Sequence, residues 1–292
     1  MHTILVTGAT GNIGREVVAQ LRQRKDCRIR ALTRRPETAD LGPAVDVFGG
    51  DLTVPESLDA SAAGADAVFL VWTAPLDAAA PAIARIAPRV GRIVLLTSPH
   101  RTPHPFFQQP NTLRVVYEGL EQTIEASGVP WTFLRPGVFA LNCLAWWGPQ
   151  VRNGDVVRWF YPDAATAPIH EHDVAAVAVR ALCEDGHSGR EYVLTGPESL
   201  TQREQVEILG DAIGRPLRYD GQTHDEARAE LLAVAPAFVV DMLLTAYAAA
   251  VGLPALVTSN VLDVTGTPAR SFHQWAVDHA GQFRADRPNR LQ

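Results

Sequence analysis

The sequence predicts an α/β protein built on a doubly wound parallel sheet. Two observations carry this. Short apolar runs alternate with helix-patterned stretches throughout residues 1–137, and such alternation packs as parallel strands joined by right-handed crossovers. The first run, Ile4-Leu5-Val6, leads through a glycine-rich turn, Thr7-Gly8-Ala9-Thr10-Gly11-Asn12-Ile13-Gly14, into a helix over Arg15 to Leu21. Strand, glycine turn and helix start in this order hold a dinucleotide pyrophosphate. Small side chains let backbone N–H groups approach the phosphates, and the helix N-terminus adds unpaired donors and a partial positive charge. The spacing is G-x-x-G-x-x-G instead of G-x-G-x-x-G. The expectation is a Rossmann-type domain over residues 1–137, with a smaller interleaved α+β substrate region over residues 138–292.

Composition narrows the function. With 47% hydrophobic and 20% charged residues, the 292-residue chain can bury a sizeable core. A net charge of −6 with no basic block argues against nucleic acid as a partner. No apolar run approaches the roughly 18 residues of a membrane span. The chain opens directly on a core strand, so no signal peptide is expected. Cys27, Cys143 and Cys183 are unpatterned and read as free thiols in a reducing cytoplasm, with no metal site.

The second strand, Arg28 to Thr33, ends at Arg34-Arg35. In dinucleotide folds this strand end lies beside the adenosine ribose, where an acid would select the free 2′-hydroxyl. Two arginines stand there instead and suit a 2′-phosphate, so the expected cofactor is NADP(H). A third strand, Ala44 to Phe48, precedes Gly49-Gly50-Asp51-Leu52. Asp51 and Leu52 either meet the adenine or form a turn. A short helix, Pro55 to Ala63, leads to the fourth strand, Ala67 to Val71, which exits through Trp72 and Thr73. These two border the cofactor, or Trp72 packs in the core. Asp77 to Pro88 is helical, and the fifth strand, Gly91 to Thr97, ends in Thr97-Ser98. A hydroxyl there either binds a substrate carbonyl or caps the strand, and Thr97 is also expected to contact the cofactor. His100 to Asn111, carrying Phe106 and Phe107, suits a flap over the site. Leu113 to Gly128 is a strong helix, and the sixth strand, Trp131 to Arg135, stops at Pro136-Gly137.

Aromatic residues then concentrate. Trp146, Trp147 and Trp159, with Phe106 and Phe107, either line a flat apolar slot or fill a core between two lobes. Val156 to Tyr161 is strand-like. Asp173 caps a helix running to Cys183, and His170 lies towards the substrate end of the cleft. Helix 171–185 and strand 190–194 are expected to pack on the sheet domain. Thr201-Gln202-Arg203-Glu204 reads as a capping box. Pro216 to Tyr219 reads as a short strand. Helices follow over Asp225 to Val234, Pro236 to Val251 and Phe272 to Ala280, before a frayed tail from Arg284.

Three blocks now resemble a known family, the NmrA-like, atypical short-chain dehydrogenase/reductases. They are the glycine turn, Ser127-Gly128-Val129-Pro130-Trp131-Thr132-Phe133-Leu134-Arg135-Pro136-Gly137, and His170-Glu171-His172-Asp173-Val174-Ala175. The resemblance implies NADP at the glycine turn and Arg34, with Pro136 and Gly137 near the nicotinamide. It also implies reduction of quinones or plant phenolics, or dinucleotide binding without turnover. Short-chain reductases pair Tyr-x-x-x-Lys with a Ser. Here Tyr117 is followed by Glu121 where Lys is usual. An acid raises a nearby Tyr pKa, against proton transfer. Tyr117 and Ser98 therefore stand as catalytic candidates in an incomplete triad. A quinone acceptor relaxes the need, because its reduced oxyanion is a stabilised phenolate. The expected function is NADPH-dependent reduction of an apolar carbonyl or quinone-like small molecule, in the cytoplasm and as a homodimer. The alternative is an NADP(H)-sensing regulator acting through a protein partner. A sugar-nucleotide epimerase is weakened by the missing Lys.

Overall fold

The computed structural model describes residues 1–109 and 112–284. The chain begins β1 (His2–Thr7), α1 (Asn12–Leu21), β2 (Cys27–Thr33), β3 (Val45–Gly49), a short α2 (Asp59–Ala62), β4 (Ala67–Val71), α3 (Ala79–Ile86), β5 (Ile93–Leu96), α4 (Thr112–Ala126) and β6 (Trp131–Pro136). It continues with α5 (Asn142–Trp146), α6 (Gly148–Asn153), β7 (Val156–Phe160), β8 (Ala165–Thr166), α7 (Glu171–Cys183) and β9 (Arg190–Leu194). Last come β10 (Leu200–Thr201), α8 (Gln202–Ile213), β11 (Arg218–Gln222), α9 (His224–Leu231), α10 (Ala237–Ala250), α11 (Asn260–Thr265) and α12 (Phe272–Asp278).

The main sheet has the order β3-β2-β1-β4-β5-β6-β9, and every pairing is parallel. The strand order reverses between β1 and β4. Ligands of such sheets lie outside the carboxyl ends at this reversal. The side-chain alternation of a strand sorts the core into two layers. Ile4 and Val6 of β1 join α1 and α7 on one face, while Leu5, Val68 and Leu70 join α3 and α4 on the other. β9 arrives from the C-terminal half and completes the sheet beside β6. A third cluster, including Trp147, Trp159, Phe160, Tyr247 and Trp275, is the core of the second lobe.

Several elements differ from the sequence expectation. The helices α5, α6 and α11 and the two-residue strands β8 and β10 were not anticipated, because each is too short to display a period. The strand expected over Pro216–Tyr219 runs Arg218–Gln222 and pairs parallel with β7. Proline cannot donate to a ladder, which moves the strand start past Pro216. Asp173 is not the cap of α7. His170 takes that role, its Nδ1 accepting the His172 N–H at 3.1 Å, while Asp173 binds the Arg270 backbone N–H at 2.7 Å and its guanidinium. The capping box at Thr201 is present in full. The last two residues of the expected flap, 110 and 111, and the tail 285–292 lie outside the described residues.

Candidate active site

The glycine turn is held by contacts that only glycine allows. Gly8 has φ +60°, a conformation that L side chains rarely adopt, and a Cβ there would meet Val71 Cβ at 3.0 Å. A Cβ on Gly14 would stand 2.2 Å from the Gly8 carbonyl oxygen, so α1 can seat against the turn only because Gly14 is bare. At the start of α1, Gly11 is extended, with no side-chain cap and no acid in the first turn. The opening N–H groups are thus left for a ligand.

A cleft of about 550 Å³ opens at this point. Gly8, Thr10, Gly11, Arg34, Asp51, Leu52 and Thr73 all line it, brought together from four strand ends. Thr33, Gly50, Thr53 and Pro75 also line it and were not singled out in the sequence. Asn12, Ile13 and Gly14 stand behind the wall at the head of α1. Arg35 is exposed and does not line the cleft. Asp51 also makes its turn: its Oδ1 accepts from the Thr53 N–H and hydroxyl, both at 2.8 Å. These bonds, with Arg34 nearby, hold its carboxyl below the usual range. Trp72 is a correction: it is buried in the core with Leu5, Leu70 and Ile83, since its large apolar ring is better placed there than at a wet crevice.

Behind the ends of β5 and β6 lies a buried charge network. Glu121, where the short-chain reductases carry Lys, is fully buried on α4. Both its oxygens meet the Arg135 guanidinium at 2.9 Å. Arg135 is 1% exposed and also donates to the Ser98 carbonyl and to Glu191, each at 2.9 Å. The Thr97 hydroxyl donates to Glu121 at 2.6 Å, so the Thr97 side chain turns inward, away from the expected cofactor contact. The Tyr117 hydroxyl is pushed up, and the cause is burial alone. Pro136 ends β6, and Gly137 donates its N–H to the Leu194 carbonyl at 2.9 Å.

Next to Gly137 the flap closes on the second lobe. Phe106, Phe107, His104, Ala165, Ala167, Thr195 and Leu256 surround a cavity of only about 10 Å³. The Phe107 ring rests on Gly137, where a Cβ would lie 3.4 Å from it. Phe106 meets Phe107 edge-on at 5.2 Å and Tyr247 at 5.1 Å. The His104 ring reaches the Pro254 carbonyl at 3.0 Å. Trp147 and Trp159 are corrections. They are 0% and 4% exposed and fill the second core, which needs large apolar volume more than a slot does. Trp146 stacks on Trp159 at 5.4 Å and is half-buried. His170 is likewise turned from the cleft. It lies 3.3 Å from Asp278 and 3.2 Å from Glu171, whose other oxygen is 2.8 Å from His279.

Comparison with known proteins follows the geometry. The chain matches the NAD(P)H-binding family model over residues 8–185. The chain belongs to this family. Its likeness to the NmrA-like, atypical short-chain reductases stands with that membership. It is 41% identical to the (4-alkanoyl-5-oxo-2,5-dihydrofuran-3-yl)methyl phosphate reductase of Streptomyces griseus, over 96% of this chain and 99% of that one. It is 34% identical to the NAD(P)H azoreductase of Xenophilus azovorans, over 97% and 99%. Its fold matches the NADPH-dependent quinone oxidoreductase of Escherichia coli with a TM-score of 0.78 at 24% identity, covering 94% and 98% of the two chains.

For a member of the NAD(P)H-binding family, the cleft fits its group. The uncapped head of α1 and the glycine wall would suit a pyrophosphate, and Arg34 adds a cation to the cleft wall. When bound, the nicotinamide supplies a hydride. Among the described residues, no helix is long and apolar enough to cross a membrane. The sequence missed Arg135, Glu121 as its partner, His100 and Glu191. The available signal was a lone arginine inside an apolar strand and a lone acid between Leu120 and Ile124 on a buried helix face.

Proposed function

We propose that the protein is an NADPH-dependent reductase of conjugated, electron-poor small molecules of the quinone or unsaturated-lactone kind. The observation that carries this is the Glu121–Arg135 pair. It puts a carboxylate matched by arginine where ordinary short-chain reductases carry the Lys of their Tyr–Lys acid, and the cleft at the glycine turn is kept. Without a Tyr–Lys acid, the acceptor is one whose anion is already stabilised, so that a weaker proton donor suffices. A quinone gives a phenolate and an unsaturated lactone an enolate, and both meet this need. The relatives' names, a dihydrofuranone reductase, an azoreductase and a quinone oxidoreductase, support the same class of acceptor.

In this reading Arg34 takes the 2′-phosphate and Asp51 borders the adenine. Pro136 and Gly137 stand at the nicotinamide, and Phe106, Phe107 and Trp146 present rings to a flat acceptor. The Phe107 ring now on Gly137 must lift for an acceptor to enter. Assays of NADPH oxidation against a quinone, an unsaturated lactone, an azo dye and a saturated ketone test the proposal. Turnover of the first classes with little of the ketone is expected. Tight NADPH binding with no turnover would reject it in favour of cofactor sensing. The same reading carries a cytoplasmic setting and a homodimer; light scattering that finds only monomer at micromolar concentration would reject the dimer.

A further inference from the structure

The carboxyl ends of β4 and β5 lie level with Leu134, near the end of β6. Val71 pairs with Leu96, and Leu96 with Leu134. Thr73, Ser98 and Pro136 each stand two residues past that line. Thr73 lines the cofactor cleft and Gly137 the aromatic cavity. Ser98 stands between them in the row, and it is half-buried.

Its Oγ lies 3.1 Å from Nδ1 of His100, which is only 4% exposed. The other ring nitrogen, Nε2, is buried and has no hydrogen-bond partner among the described residues. It faces the Glu121 carboxylate at 3.6 Å and Glu118 at 3.9 Å, both on α4. From β6, an Arg135 nitrogen sits 3.4 Å from Nδ1. Arg101, next to His100 in the chain, pairs at 3.6 Å with Glu121 and at 3.7 Å with Glu191 of β9. The guanidinium N–H beside Nδ1 and the carboxylates beside Nε2 favour one neutral tautomer, with the proton on Nε2 and Nδ1 accepting from Ser98. Burial, with Arg135 and Arg101, holds His100 below the ordinary imidazole value, against the pull of Glu121 and Glu118. When protonated, His100 carries its second proton on Nδ1, against the Ser98 hydroxyl.

We propose that Ser98 is the catalytic residue that hands a proton to the reduced acceptor's oxygen, and that His100 is the positioning residue that refills it. This rests on the reductase reading above. The Ser98 O–H bond breaks as the acceptor O–H bond forms. The Ser98 oxygen then takes the Nδ1 proton of imidazolium His100, which returns to the neutral Nε2–H form. Solvent reloads one proton per turnover. The hydride has already brought both electrons, so the step moves protons only.

The test measures kcat with NADPH and menadione between about pH 5 and pH 8. The full-length chain is compared with Ser98→Ala, Ser98→Thr, His100→Asn and the double Ser98→Ala/His100→Asn. The wild type loses rate as pH rises through a value below about 6.5. His100→Asn and Ser98→Ala each lose on the order of 10²-fold in kcat, and the double variant loses no more than either. Both lose the pH limb with KM unchanged, and Ser98→Thr restores it. NADPH binding by fluorescence and the melting temperature show whether each variant is folded. ¹⁵N NMR of the NADP-bound chain reads the dyad independently of turnover, with an unprotonated Nδ1 on His100 whose shift changes in Ser98→Ala. A pH limb that survives in His100→Asn, additive losses, or an Nδ1–H tautomer indifferent to Ser98→Ala would overturn the relay while leaving the reductase standing. A wild type that binds NADPH and reduces nothing overturns the reductase reading, and the relay falls with it.

Discussion

Replacing Glu121 by Gln tests the buried pair directly. Glu121 is fully buried, and its two oxygens hold the two terminal nitrogens of an Arg135 that is 1% exposed. Gln keeps the shape and an acceptor for Thr97, but it leaves a buried cation without its bidentate partner. Removing one member of such a pair costs about 3–5 kcal/mol. The lower end applies here, because Arg135 retains Glu191 and the Ser98 carbonyl, each at 2.9 Å. At roughly 2–4 °C per kcal/mol for a chain of this order of size, a loss of about 3 kcal/mol lowers the melting temperature by about 6–12 °C. Urea unfolding of wild type, Glu121→Gln, Arg135→Met and the double variant closes a double-mutant cycle. The double variant should be less destabilised than the sum of the singles, since it leaves neither charge stranded. The Tyr117 titration should not move in Glu121→Gln, because burial alone raises that hydroxyl. A single variant within about 0.5 kcal/mol of wild type, or additive losses, would refute the view that the two charges neutralise each other.

Other expectations follow from the same geometry. Gly14→Ala should destabilise by about 1–3 kcal/mol, because its Cβ would meet the Gly8 oxygen at 2.2 Å; Gly11→Ala, with 3.3 Å to the same atom, should melt nearly as wild type. Arg34→Ala should weaken NADPH binding far more than NADH binding in a fluorescence titration; equal losses would reject its phosphate role. Burial alone would raise the Glu171 carboxyl, but His170 and His279 hold it down at about 2. Its stabilising contribution is therefore present above its ordinary value of 4.5 and is lost as pH falls towards about 2, so acid should melt wild type more steeply than Glu171→Gln. His279 resists burial through its bond to Glu171 and is raised, so its contribution is present below 6.5 and is lost as pH climbs through the raised value.

The parts legible in the sequence were those written in local patterns. The strand–turn–helix at Gly8 to Gly14 shows itself by period and glycine spacing, and Arg34 by the missing acid at its strand end. What stayed hidden depended on pairings made by the fold. Glu121 and Arg135 meet only because α4 packs behind β5 and β6, and no spacing rule links a helix face to a strand. The tryptophans misled for a related reason. Composition shows that aromatic rings cluster after residue 138, but not which side they face, and Trp147 and Trp159 face inward. His170 was expected towards the substrate end of the cleft, with Asp173 as the helix cap. His170 itself does the capping, a role histidine seldom fills.

β9 has a consequence for biosynthesis. The six strands made first leave β6 as an open edge, with Arg135 lacking Glu191, until residues 190–194 emerge. A ribosome-bound chain halted before residue 190 thus carries a bare ladder and a half-matched cation. The seventh strand thus joins late in translation, and until then the β6 edge is open to mispairing.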